Sequence, residues 1–396
     1  MKKITLLVLL LLSLSSFAQL SENSKMYLIT CEVGDEIYTQ FGHSALRVVD
    51  PVMGQDITFN WGVFDIPDDE VDFMYKFAKA TLPYKMDVST TNEFVFPYYK
   101  YEKREVRQQE LNLTLDQKNK IWKLLEENAL PENKYYKYDF FFDNCATRIR
   151  DIFDKALGDE LIWAKHAEAD KYTFREMIDV GFQSHPWLDF GIDIVLGYKI
   201  DKKVSNANLM FNPFYMEEIF EASQIKTPQG VQNLVLSDEI IAPGISRTED
   251  SGIWFTPIIF SALILIVTLI LAFLQLEVLL KIWTSLLLFL TGVLGIVLFF
   301  MWFQTEHVAT KGNLNLLWAN PLWLILMILI WVKKWQAKLA STYLYLSLGM
   351  LALVLFFLML PQEFHAASRV FIINWAVVFY FFYRNQIMKE KSDHKS

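Results

Sequence analysis

Apolar positions along this chain follow two rhythms, and the change comes near residue 252. Up to that point they form short runs that alternate or recur at helical spacing; beyond it they fuse into long blocks. The alternation predicts strands over residues 25–33, 45–49, 56–64 and 104–113, bounded by turn residues such as Gly34-Asp35-Glu36 and Asp50-Pro51. A helix is expected over 67–80. Pro67 lies in its first turn, Asp68, Asp69 and Glu70 near its start, and Lys76 and Lys79 near its end, which is the charge order a helix dipole favours. Thr114 and Gln117 make a capping-box pattern that opens a helix running to about residue 128. Residues 138–143 read as an aromatic strand turning straight into a helix near Cys145. There Arg148, Ile149, Ile152, Phe153, Ala156 and Leu157 recur at helical spacing, and Gly158 is the stop. Residues 172–180 and 212–223 also read as helices, 236–252 as a linker, and 185–197 as an apolar core segment, with a lid or membrane-lying stretch as the alternative. These elements predict a mixed α+β unit.

The long blocks have about the ~20 residues that a bilayer requires, at roughly 253–275, 282–303, 316–332, 341–360 and 368–383. Residues 1–18 carry Lys2 and Lys3, an apolar run and small residues ending at Ala18, the pattern of a secretory signal peptide. Residues 19–250 are then expected outside the membrane and 251–396 form an all-α, five-span domain. Counting spans from outside, Lys281, Lys333, Lys334, Lys338 and the tail with Arg384, Lys389, Lys391 and Lys395 fall inside, as the positive-inside rule asks, and the C-terminus is cytoplasmic. Polar groups collect at the outer ends: Glu306, His307, Lys311, Asn313, Asn315, Asn320, Gln362, Glu363, His365 and Arg369. They read either as interfacial anchors or as part of a shared site.

Composition narrows the chemistry. A hydrophobic content of 53% fits a membrane half, and a formal charge of −8 gives no reason to expect nucleic-acid binding. No glycine-rich phosphate loop and no close His/Cys/Asp spacing is present, so neither a nucleotide enzyme nor a metal site is expected, and no cofactor is called for. The two cysteines, Cys31 and Cys145, are either a disulfide or a reactive thiol with a bystander. Cys145 falls in a first helical turn, where unpaired N–H groups and the helix dipole favour a thiolate. The alternative is a small buried hydrophobe. A thiolate nucleophile needs a base. His166 sits among charged residues and His185 precedes a proline, whereas His43 lies between a glycine and a serine just before a strand and is the expected base. Asn60, on the next strand, and Asp35, in the turn before His43, are candidates to orient its ring. Arg148 shares the face of Cys145 and is placed either for a phosphate or carboxylate, or for a surface ion pair with Asp151 or Asp154.

Three stretches together resemble a known family. Gly34-Asp35-Glu-Ile-Tyr38-Thr-Gln-Phe41-Gly42-His43-Ser-Ala-Leu-Arg47, Asn60-Trp-Gly62-Val-Phe64-Asp65 and Asp143-Asn144-Cys145-Ala-Thr-Arg148-Ile-Arg150-Asp151 are similar to the Lnb-type lipoprotein N-acyltransferases of Gram-negative bacteria. Residues 186–193 and the outer loop 311–321 extend the resemblance over nearly the whole mature chain. The His-before-Cys order also resembles circularly permuted papain-like enzymes such as lecithin:retinol acyltransferase, where an Asn-Cys pair opens the helix. The resemblance implies Cys145 as nucleophile and His43 as base, a periplasmic catalytic domain and an inner-membrane location. It also implies a phospholipid acyl donor and a diacylated lipoprotein acceptor. Asn144, beside the nucleophile, and His307, in the outer loop, join Arg148 as substrate-side candidates. Cys31 is expected to be free, since pairing would silence Cys145. A membrane-tethered cysteine peptidase or amidase acting on cell-wall peptide uses the same two residues, but needs only one anchor. A non-catalytic lipid- or peptide-binding module is the third reading.

Overall fold

The strands of the first part of the chain are β1 (Lys25–Cys31), β2 (His43–Asp50), β3 (Gln55–Phe64), β4 (Pro83–Thr90), β5 (Val106–Leu111), β6 (Tyr135–Lys137), β7 (Leu161–Ile162), β8 (Gln224–Thr227), β9 (Gly230–Asn233) and β10 (Val235–Ala242). Every residue of β1 after the first is buried, so both of its faces need cover and it lies inside a sheet. That sheet is antiparallel in the order β10-β5-β1-β2-β3-β4-β6. A smaller sheet has the order β7-β8-β9. The helix Cys145–Leu157 packs on β2 and β3 and on the helix Leu115–Ala129, whose Thr114–Gln117 capping box forms as the sequence suggests. The core of this unit includes Leu28, Ile29, Leu46, Trp61, Ile149 and Phe153.

The computed structural model describes residues 19–65, 69–245, 254–336 and 338–393. The expected signal peptide lies outside the described residues, as do Pro67, Asp68 and the end of the expected linker. Two compact units result. The first holds both sheets, the cysteine helix and the described residues of 19–65, 82–169 and 205–245. The second combines 69–81, 170–204 and the apolar helices beyond 254.

Several expectations change. Residues 236–242 are not linker but most of β10, an edge strand held to β5 by backbone pairing, with most of its side chains in solvent and no alternating apolar pattern to announce it. Residues 138–143 are not a strand. β6 ends at Lys137, and the aromatic run is a turn closed by Asp139–Asp143 backbone bonds, with the Asp139 carboxylate accepting from Phe141 and Phe142 N–H. The helix expected over 67–80 runs Glu70–Lys79, capped by Asp69 and ended by Ala80 at φ 57°.

Among the described residues of the second unit two helices, Glu277–Phe303 and Ala366–Lys389, are long and apolar enough to cross a membrane; Pro257–Phe273 and Ala340–Leu355 are shorter apolar helices. The span expected at 316–332 is broken: its helix covers only Trp323–Leu329, about 10 Å at ~1.5 Å per residue, against a core of ~30 Å. Asn320-Pro321 interrupts it, since the residue before a proline is pushed out of the helical region, and the Asn320 side chain accepts from the Leu322 N–H instead. The core here gathers Leu287, Leu288, Trp318, Trp323, Trp375 and Phe379.

Candidate active site

Sheet register brings His43 and Asn60 onto one face. His43 and Ala45 are two apart on β2, and Ala45 faces Asn60 on β3, so Asn60 is the diagonal neighbour of His43, within reach of a side chain. The ring Nε2 of His43 lies 2.6 Å from Asn60 Oδ1. An amide oxygen only accepts, so Nε2 carries the proton and Nδ1 is the nitrogen left to exchange a proton with a thiol. The backbone turn into β2 depends on Gly42, at φ 72°: a Cβ there would stand 2.7 Å from the Cys31 carbonyl oxygen and 2.9 Å from the Phe214 ring. Asp35 is exposed in the preceding turn, while the His43 Nε2 is occupied by Asn60.

The cysteine helix places the third group. Asn144 is its N-cap, 3% exposed, and its side chain accepts from the Thr147 N–H while donating to the Phe140 and Phe211 carbonyls. With its amide committed to backbone, Asn144 fixes where the helix begins. Cys145, the first helical residue, hydrogen-bonds His43, and the backbone N–H groups of Ser44 and Ala146 donate to its sulfur. Burial pushes the Cys145 thiol up, but the facing His43 charge and these hydrogen bonds outweigh it and hold the thiol below its ordinary value. Burial alone would lower His43; the Cys145 thiolate and Asn60 more than reverse this and raise it. Both shifts favour a thiolate–imidazolium pair. Cys145 is buried, at 7% exposure, and His43 is half-buried.

Residues beyond the sequence expectation complete the surroundings. Tyr98 stacks on the His43 ring at 6.4 Å, Phe94 lies at 6.3 Å, and the guanidinium of buried Arg104 lies over the Tyr98 ring at 4.8 Å. These come from the segment after β4, whose Thr90–Glu93 capping box marks a helix start but says nothing of its approach to His43, which only the fold reveals. Cys31 is free, as is Cys145. It faces His43 across the β1–β2 register, is fully buried, and burial pushes its thiol up, so it is the inert one of the two. Arg148 makes a bidentate ion pair with Asp143 and sits 4.0 Å from the Tyr136 ring centre; its partner is neither Asp151 nor Asp154. Its charge is used in holding the loop before Cys145.

The second unit uses its polar outer residues differently. Asn313 donates to the Ile194 and Val195 carbonyls at 2.7 and 2.9 Å, Asn315 donates to Ile194, and Gln362 accepts from the Leu314 N–H. A Cβ on Gly197 would lie 2.2 Å from the Lys311 carbonyl oxygen, so glycine is needed for this close approach. These groups latch the 311–321 loop to the helix Pro186–Val195. His307 lies in the same outer loop, outside the latch, its carbonyl accepting from Thr310. Among the described residues no group of three or more His, Cys, Asp or Glu is placed to hold a metal.

Residues 17–178 match the family model of the Lnb N-terminal periplasmic domain. Residues 248–391 match that of the Lnb transmembrane domain. The chain belongs to the Lnb family. It is therefore a multi-pass membrane protein whose sheet-rich N-terminal domain is periplasmic and whose C-terminal region is helical. No curated protein and no solved structure matches it. In this Lnb protein the hydrogen-bonded Cys145, His43 and Asn60 all lie within the first family domain.

Proposed function

We propose that this Lnb protein is a lipoprotein N-acyltransferase of the inner membrane, with Cys145 as nucleophile, His43 as general base and acid, and Asn60 orienting the imidazole. The observation that carries the reading is the Cys145–His43–Asn60 chain at a helix start, in a protein that also has a membrane domain. A permuted papain-like arrangement fits a helix-borne cysteine packed on an antiparallel sheet that supplies the histidine.

The thiolate attacks an ester carbonyl carbon of a phospholipid. The tetrahedral oxyanion is met by backbone N–H groups at the helix start. As the C–O bond breaks, the leaving alkoxide takes the proton from His43, so a lysophospholipid departs and the acyl chain remains on sulfur as a thioester. The α-amine of a diacylglyceryl-cysteine lipoprotein then attacks that thioester. His43 accepts the amine proton, the C–S bond breaks, and the products are an amide and the starting thiolate–imidazolium pair. Both substrates are anchored in a bilayer, which gives a purpose to a membrane domain larger than one anchor. The chain would end in the cytoplasm, with the lysines of residues 333–338 on the same side.

The test is mass spectrometry of purified protein with phospholipid and a diacylated lipopeptide. Addition of one acyl chain to the peptide, with a trappable Cys145 thioester, is the expected result. Released fatty acid without modified peptide would point to a hydrolase, and unchanged lipid would end both readings.

A further inference from the structure

The helix Glu70–Lys79 lies between β3 and β4 in the chain, yet it belongs to the unit of the apolar helices. None of its residues is buried. A ten-residue helix has little stability of its own in water and normally persists by burying an apolar face. Here that face is turned outward: Val71 is 77% exposed, Met74 68% and Tyr75 53%. Val71, Met74, Tyr75 and Ala78 lie on one side at helical spacing, flanked by Lys79, with Asp72 and Lys76 farther round. The Asp72–Lys76 ion pair at 2.7 Å and the Lys79 ammonium over the Tyr75 ring keep the polar side ordered.

The helix's position indicates what covers the apolar face. Glu306 donates its backbone N–H to the Lys79 carbonyl at 2.9 Å. Glu306 is three residues beyond the end of the membrane-length helix Glu277–Phe303, whose last turns present Phe299 and Phe303 outward with Trp302 stacked on Phe303. Exposed aromatics at the end of a spanning helix mark the level of the membrane–water interface. The end of Glu70–Lys79 is therefore tied to that level, where an apolar stripe flanked by lysines meets acyl chains on one side and head groups on the other.

We propose that Glu70–Lys79 is an interfacial helix whose Val71, Met74 and Tyr75 face inserts into the outer leaflet of the bilayer. The occupant is lipid, and the helix anchors the β3–β4 connection of the catalytic sheet to the membrane surface. The depth of the helix is independent of the acyl-transfer reading; only its consequence for turnover rests on that reading.

The depth test uses full-length protein in phosphatidylethanolamine/phosphatidylglycerol vesicles, with Cys31→Ala and Cys145→Ser removing native thiols. A nitroxide is attached at Val71→Cys, Met74→Cys or Asp72→Cys in turn. Labels at 71 and 74 should relax faster with oxygen than with a water-soluble nickel chelate, and the label at 72 should do the reverse. Nickel-chelate access at 71 and 74 would overturn the proposal, as would protection from both reagents, which means a protein contact. With native cysteines, Val71→Asp/Met74→Asp should lower turnover of vesicle phospholipid at least tenfold and leave cleavage of a water-soluble p-nitrophenyl ester unchanged. Equal turnover of the vesicle donor would remove the catalytic consequence. If the unsubstituted protein transfers no acyl chain at all, the acyl-transfer reading fails while the depth measurement still decides the helix.

Discussion

Each unit of this Lnb protein buries a cluster of ionisable groups, and the two clusters behave in opposite ways. In the sheet unit, Cys145 and His43 can pass one proton between them, and Asn60 holds the ring so that the transfer has a direction. In the second unit, Arg175 is fully buried between Asp193 at 2.6 Å and Asp201 at 2.7 Å, and it also donates to the Leu196 and Gly197 carbonyls. A guanidinium does not give up its proton at any working pH, so this cluster has no chemistry to offer. It fixes the turn after Pro186–Val195 from which the 311–321 loop is latched. Burial and pairing therefore do not identify a catalytic group by themselves. What sets the first cluster apart is a proton that can move between two side chains.

The comparison can be broken most sharply at its two centres. Cys145→Ala should reduce acyl transfer by more than about 10³-fold with the melting temperature nearly unchanged, because removing a nucleophile removes the covalent route. Retained activity would move the reaction elsewhere. Arg175→Ala should do the reverse, lowering stability by about 3–5 kcal/mol by leaving two buried carboxylates uncompensated, as read by thermal unfolding in detergent. Asn60→Ala should cost roughly 10²-fold in turnover and change its pH profile. With the pair intact, activity should rise as Cys145 ionises below the ordinary thiol value of 9.0, and fall as His43 deprotonates above 6.5. Loss of the Asn60 hydrogen bond should move the falling limb to lower pH; an unmoved limb would leave Asn60 a structural residue.

A subtler contrast lies at the edge of the second cluster. Burial first, then the nearby Asp193 and Asp189 carboxylates, push Asp179 up to about 8. Its folded value lies above the unfolded one, so between about 4 and about 8 the native state binds more protons and stability from this group falls as pH rises. Asp179→Asn should raise the melting temperature most near pH 8 and have little effect near pH 4. Arg148→Ala should change least, about 1 kcal/mol or less, because its pair with Asp143 is partly exposed. A selective loss of donor use in that variant would return Arg148 to the substrate.

Much of the site could be read before folding. The glycine ahead of His43, the Asn144-Cys145 helix start and the Gly158 stop are local signals, because capping and positive-φ turns depend on neighbours a few residues apart. The same locality explains the capping box at Thr114 and the apolar blocks of the second half. Where an apolar block crosses and where it breaks was less accessible. Asn320-Pro321 carried the signal at 316–332, but an averaged hydropathy hides a two-residue interruption.

Long-range pairing was beyond local reading. β10 looked like a linker because it carries no alternating apolar pattern, and its partner β5 lies more than a hundred residues earlier. Arg148 had three carboxylates within helical or loop reach, and only the turn closed by Asp139 and Asp143 selected Asp143. Tyr98 and Arg104 reached the histidine because the segment after β4 folds back over β1 and β2, a consequence of packing that no residue spacing records. Residue identity along the chain was enough to pick a candidate nucleophile and a candidate base, which the fold brings into hydrogen-bonding contact. Which group orients the base, which charges are already paired and which apolar face has no protein cover are properties of contacts between distant segments, and those exist only once the chain has folded.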